Sequence, residues 1–123
     1  MIHLDTNFLI QVVVAGSSAH ERFRLWAAAD EKFTVSSIAW AEFLCGPLDA
    51  TAETIARQIF PNPEPFLSAD AVLAANLFNQ TGRRSRSLAD CMIAAVAIRC
   101  GAKLATINAG DFQPLVQHGL TLV

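Results

Sequence analysis

Residues 1–16 read Met1-Ile2-His3-Leu4-Asp5-Thr6-Asn7-Phe8-Leu9-Ile10-Gln11-Val12-Val13-Val14-Ala15-Gly16, and the way this stretch divides decides the fold. Ile2 and Leu4 suit a strand, and helical signals begin only after Asp5, so Met1 to Asp5 is expected to be a short strand. Thr6 to Val14 then reads as a helix or helical turn that stops near Gly16. A strand passing straight into a helix is the opening of an alternating α/β chain.

The alternation continues downstream. Ser18 with Glu21 three positions later is a capping-box pattern, opening a helix on which Phe23, Trp26 and Ala27 share a face. Phe33 to Ser36 reads as a second strand. Ser37 to Cys45 reads as a strongly apolar helix ended by Gly46-Pro47. Asp49 is placed to cap a helix running to about Ile59. Pro61, Pro63 and Pro65 exclude helix interior and deliver the chain into a short strand around Phe66-Leu67, near a sheet edge. Ser68 is expected to cap a helix through about Asn79, ended by Thr81-Gly82. Ser87 to Cys100 reads as an apolar helix closed by Gly101. Lys103 to Thr106 is a fourth core strand, and Leu120 to Val123 is expected to be a fifth. Strands alternating with helices imply a parallel sheet covered on both faces, in a single α/β domain spanning residues 1–123.

Composition fits that reading. The 123 residues are 53% hydrophobic and 16% charged, which excludes intrinsic disorder. No stretch approaches the roughly 20 apolar residues of a membrane span, and no signal peptide is visible at the N-terminus, so no membrane partner is expected. Cys45, Cys91 and Cys100 form no CxxC pair. They read as reduced, buried small hydrophobes in a cytoplasmic protein. The net charge of −2 provides no global basic field, so a nucleic-acid partner would need a local patch. The sequence offers one in Arg83, Arg84 and Arg86.

Eleven acids are present. Glu21, Asp30, Glu31, Asp49, Glu53, Glu64 and Asp70 lie in polar, capping or linker contexts where a charge is expected to face water. The other four stand apart. Asp5 ends the first strand, where a doubly wound sheet places ligands and where an N-cap is equally at home. Glu42 has Ile38, Ala39, Cys45 and Gly46 as its helical neighbours. It is therefore expected to be buried, and so protonated, paired from elsewhere or bound to a cation. Asp90, three residues after Ser87, belongs at a helix N-terminus, as ligand or as capping-box acid. Asp111 follows the strand-ending Thr106 by five residues, as ligand, cap or Asx-turn.

Taken together, these four should meet at the carboxyl edge of one parallel sheet. Two carboxylates about 4 Å apart repel by about 4 kcal/mol at an effective dielectric near 20, so a cluster of four needs compensation. A hard divalent cation with oxygen ligands, Mg²⁺ or Mn²⁺, supplies it. His3, His20 and His118 show no zinc-ligand spacing and read as surface or packing residues.

The segments Leu4-Asp5-Thr6-Asn7, Ala41-Glu42-Phe43, Ala89-Asp90-Cys91-Met92-Ile93-Ala94-Ala95 and Thr106-x-Asn108-x-x-Asp111-Phe112, with Gly119-Leu120 before the last strand, resemble PIN domains. The likeness is closest to the small VapC-type toxins of toxin–antitoxin pairs, and it spans the chain in order and spacing. It implies a three-layer α/β/α domain with a parallel sheet of four or five strands. It also implies a metal-dependent endoribonuclease, usually homodimeric, silenced by an antitoxin that binds operator DNA. Carried over, the catalytic and metal-binding quartet is Asp5, Glu42, Asp90 and Asp111, and the supporting polar shell is Thr6, Asn7, Thr106 and Asn108. His3 in the first strand and Cys91 after the third acid depart from the usual pattern.

The chemistry implied is water attack assisted by Mg²⁺ or Mn²⁺, leaving a 5′-phosphate and a 3′-hydroxyl. Arg83, Arg84 and Arg86 are expected to hold RNA phosphates beside the acidic pocket, or to form a solvated loop. Trp26, Trp40 and Phe43 read as core. The Ala71–Phe78 segment reads as a dimer or antitoxin surface, or as core. Competing functions are a phosphoryl-accepting receiver, a non-catalytic RNA-binding module of the same fold, and a metal-independent nuclease using His20 and His118.

Overall fold

In the computed structural model, residues 1–82 and 87–123 are described, Ser87 by its backbone alone. The described chain runs β1 (Ile2–Leu4), α1 (Thr6–Val12), α2 (Ser18–Ala28), β2 (Phe33–Val35), α3 (Ser37–Cys45), α4 (Ala50–Ile59), α5 (Ser68–Gln80), α6 (Ser87–Arg99), β3 (Lys103–Ala105), α7 (Ala109–Val116) and β4 (Thr121–Leu122). The four strands pair in the order β2-β1-β3-β4, all parallel. Leu4 stands opposite Val35 on one side and Ala105 on the other. Parallel neighbours cannot be joined by tight turns, so each connection carries helices back across a face of the sheet.

Alternation along β1 assigns the two faces. Ile2 and Leu4 enter one cluster with Phe8, Leu9 and Val12 of α1, Ala19 of α2, Val35, Phe43 and Ala56. Leu104 enters the other with Ala74 and Leu77 of α5, the Cys91–Ala97 stretch of α6, Phe112, Leu115 and Leu120. Helices thus cover both faces in three layers. Full burial of side chains such as Leu4, Phe8 and Leu9 contributes about 1.5–3 kcal/mol each. The third helix is wedged between the clusters, giving Ala39 to one and Phe43 to the other. Its remaining stripe of Ala41, Glu42 and Cys45 faces solvent.

Most expected elements are present, with instructive differences. The expected strand at Phe66-Leu67 does not form, so the sheet has four strands. A single parallel bridge joins Ser36 to Glu64, and Phe66 N–H donates to the Ser37 hydroxyl at 3.0 Å. Three prolines in five residues leave too few donors for a ladder. The cap of α2 is Ser17, one residue earlier than expected, its hydroxyl accepting from His20 N–H. The cap of α5 is Leu67 rather than Ser68, with Asp70 accepting the Leu67 N–H at 2.8 Å. The helix Ala109–Val116 was not anticipated; it includes Pro114, whose missing N–H is tolerated in so short an element. Only Cys91 among the cysteines is fully buried, and Cys45 is exposed on the open stripe of α3. Among the described residues no helix is long and apolar enough to cross a membrane.

Asp70 is also corrected, being buried rather than facing water. It is 1% exposed and receives Arg99 Nε at 2.8 Å, while Arg99 Nη2 donates to Glu64 Oε1 at 3.2 Å and to the Pro65 carbonyl at 2.9 Å. Arg99 therefore ties the proline-rich crossover to the end of α6. His3 lies near this group on the α6 side of the sheet. Its Nδ1 is buried without a hydrogen-bond partner among the described residues, and burial pushes its pKa down to about 4.

The pair of buried Asp70 with Arg99 sets the first prediction. Arg99→Met leaves the Asp70 carboxylate, 1% exposed, without its cationic partner and should lower the urea midpoint clearly. Arg57→Met, which breaks the exposed pair with Glu53, should cost less than about 1 kcal/mol.

Candidate functional site

Each of the four segments bearing the set-apart acids ends or begins at the carboxyl edge of the sheet. Asp5 leaves β1 one residue beyond the ladder, its N–H donating to the Ala105 carbonyl at 3.0 Å. It is the N-cap of α1, with Oδ1 accepting from Phe8 N–H at 2.8 Å. Thus the capping and site readings of Asp5 hold together. Ser36, just past β2, caps α3 through Ala39 N–H at 3.1 Å, and Glu42 follows about a turn and a half later. Asp90 stands in the first turn of α6, and Asp111 in the first turn of α7.

These four side chains line one pocket of about 110 Å³, together with Thr6, Asn7, Ile93, Asn108 and Phe112. A single water occupies roughly 10–15 Å³ on this measure, so there is room for an ion with water ligands. Thr106 lies behind the pocket wall. Its hydroxyl lowers the pKa of the Asp5 carboxylate and accepts from Asn108 N–H at 2.9 Å. Thr6 Oγ1 donates to Glu42 Oε1 at 2.6 Å. Thr6 therefore orients Glu42, as the Phe8 N–H orients Asp5.

Glu42 is exposed, contrary to expectation. Its neighbours three and four positions away are indeed apolar or small, but Cys45 shares its open stripe. Asp5 is buried, Asp90 half-buried and Asp111 exposed. Arg83, Arg84 and Arg86 lie outside the described residues, as does the Ser87 side chain that would cap against Asp90. His20 Nδ1 sits 2.8 Å from the Val12 carbonyl oxygen. Neither it nor His118 lines the acidic pocket, which removes the basis for a histidine acid–base pair.

The electrostatics bear the marks of crowding. Burial is the largest cause raising the Asp5 pKa; the Thr106 and Phe8 hydrogen bonds oppose it, and the charges of Glu42 and Asp111 add to it. Asp90 is pushed up to about 6, by burial first and then by Asp111, Glu42 and Asp5. Asp5 thus feels charges from two other segments of chain, and Asp90 from three. All the charged donors in the pocket are carboxylate oxygens, the chemistry preferred by Mg²⁺ or Mn²⁺. Among the described residues no three His, Cys, Asp or Glu side chains are gathered into a cluster that could hold a metal ion as they stand.

With the geometry in view, relationships to known proteins can be read. A PIN domain family model matches residues 2–113, and the chain belongs to the PIN domain family. That membership sets aside the receiver alternative. The fold is similar to a chain of VapBC2 from Rickettsia felis bound to a promoter DNA fragment, with a TM-score of 0.77 at 21% identity, covering 100% of this chain and 98% of that one. It is similar to a chain of FitAcB from Neisseria gonorrhoeae, with a TM-score of 0.73 at 22% identity over 99% and 96% of the two chains. A toxin–antitoxin complex from Klebsiella pneumoniae gives a TM-score of 0.74 at 24% identity, over 91% and 90%. At these identities the likeness is one of fold. No curated protein matches the sequence.

The raised Asp90 pKa has a stability consequence whose sign is fixed. A carboxyl with a folded pKa of about 6 against an ordinary 3.8 favours the fold while protonated, and that contribution is lost as pH rises through about 6. In chelator, Asp90→Asn should therefore be more stable than the parent above pH 6, by on the order of 1–2 kcal/mol after allowance for solvent screening. The difference should vanish below about pH 4. Thermal melts at pH 4 and pH 7.5 read it directly.

Proposed function

We propose that the protein is an endoribonuclease dependent on Mg²⁺ or Mn²⁺ and acts as the toxin of a toxin–antitoxin pair. The observation that carries this reading is the meeting of Asp5, Glu42, Asp90 and Asp111, from four distant stretches, in one oxygen-lined pocket. The donor set fits a hard divalent cation, with Asp5, Glu42, Asp90 and Asp111 as its holders. A cation bound there would lower the pKa of a water and polarise the scissile phosphate.

The chain's own residues then have separable tasks. Asp5 is held by the Phe8 N–H, and the Thr106 hydroxyl favours its charged form. Thr6 restrains Glu42, and Asn7 and Asn108 offer neutral polar groups at the rim. None of these groups is an activated nucleophile, so water attack with 5′-phosphate and 3′-hydroxyl products is the expected outcome. The acidic rim alone repels RNA, and Arg83, Arg84 and Arg86 are the proposed phosphate contacts.

Partner and compartment follow the same reading. The similar chains come from complexes described as toxin–antitoxin or as bound to promoter DNA, which supports a cognate antitoxin that binds operator DNA. A homodimer is proposed on the family likeness. The free cysteines Cys45, Cys91 and Cys100 suit a reducing cytoplasm.

Incubation with single-stranded RNA tests the proposal. Cleavage should require Mg²⁺ or Mn²⁺ and stop on chelation. Asp5→Asn should reduce it at least about 100-fold while circular dichroism stays unchanged. Full activity of Asp5→Asn or in chelator contradicts the assignment, and RNA binding without cleavage under all conditions favours a non-catalytic module.

A further inference from the structure

Glu42 reaches the pocket from α3. It is exposed, it carries three side-chain torsions, and it shares its exposed stripe with Ala41 and Cys45. Among the described residues its carboxylate accepts one hydrogen bond, from Thr6 Oγ1 to Oε1 at 2.6 Å. Thr6 directly follows Asp5, so the bond fastens this exposed acid beside the most buried one.

The direction of that bond is informative. Threonine hydroxyls near helix starts commonly turn to local backbone groups. At this terminus the capping is done by Asp5, through Phe8 N–H, and Thr6 instead sends its proton to a side chain 36 positions away. Donation to one oxygen leaves Oε2 without a hydrogen bond among the described residues. It also holds the carboxylate towards Asp5 and Asp90, both of which feel Glu42. Gathering carboxylates in one pocket has a use when a cation binds between them.

We infer that Thr6 is a positioning residue that sets the cation affinity of the pocket by holding Glu42 next to Asp5. The inference rests on the reading of the pocket as a divalent-cation site. Without the hydroxyl, Glu42 spreads over solvent rotamers and must be ordered again each time an ion binds. Outer partners that orient metal ligands change affinity by about 10–100-fold in other sites, and an effect near the lower figure is expected here.

Titration calorimetry of the intact chain with Mn²⁺ alone tests it. Thr6→Val should bind Mn²⁺ about 10-fold more weakly, and Thr6→Ser should restore the parent affinity. Glu42→Gln should weaken binding, and adding Thr6→Val to it should cost little more, because Thr6 acts through Glu42. Melting temperatures in chelator separate a purely structural role, which lowers stability without changing the affinity of the folded chain. If Thr6→Val does not fold, Thr6→Ala takes its place. Parent-like affinity without the hydroxyl, or fully independent losses from the two substitutions, overturns the role of Thr6 alone. If the parent itself binds no Mn²⁺, the cation reading falls, and the role of Thr6 with it.

Discussion

A parallel sheet sends all of its strands out through the same edge, and every feature of the acidic pocket depends on that constraint. The residue after β1 is Asp5, the residue after β2 caps the helix bearing Glu42, and the turn after β3 leads to Asp111. The sixth helix runs back towards the start of β3, so its first turn, with Asp90, lies at the carboxyl edge as well. Side chains as far apart in sequence as Asp5 and Asp111 are brought together by the topology rather than by any local contact. The sheet itself has only three-residue and two-residue strands, and it holds because both faces are buried under helices.

Gathering negative charge at that edge opposes folding, and the structure compensates in two ways. Burial with crowding shifts Asp5 and Asp90 towards their neutral forms. Hydrogen-bond donors meet two of the carboxylates: Phe8 N–H on Asp5 and Thr6 on Glu42. At the other end of α6 the opposite solution appears. Asp70 is more deeply buried than Asp90 yet meets Arg99 directly, so its charge is neutralised within the fold. The contrast separates an acid paired within the fold from pocket acids that form no ion pair among the described residues.

The alternation of strands and helices was legible in the sequence because it rests on local patterns, and α3 runs from Ser37 to Cys45 as expected. The identity of the four pocket acids was legible from their unusual surroundings and from the likeness to PIN domains, and the pocket contains all four. What lay beyond the sequence were contacts between distant elements. Apolar neighbours made Glu42 look buried, but a helix shared between two cores leaves a stripe of small residues open, and Ala41 and Cys45 give no polar warning of it. Asp70 looked like a surface cap because its partner is 29 positions away. The proline-rich segment was assigned an extra strand on extended character alone, and the single bridge at Glu64 is all that its few donors permit. The helix carrying Asp111 was hidden by Gly110 and Pro114, residues that ordinarily mark its absence.

Diffraction from crystals soaked in Mn²⁺ tests the central claim most directly. The account predicts an anomalous peak bounded by the carboxylates of Asp5, Glu42, Asp90 and Asp111, with those side chains drawn in upon it, and no such peak in the Asp5→Asn variant. Crystals that take up Mn²⁺ elsewhere and leave this pocket without a peak would contradict it.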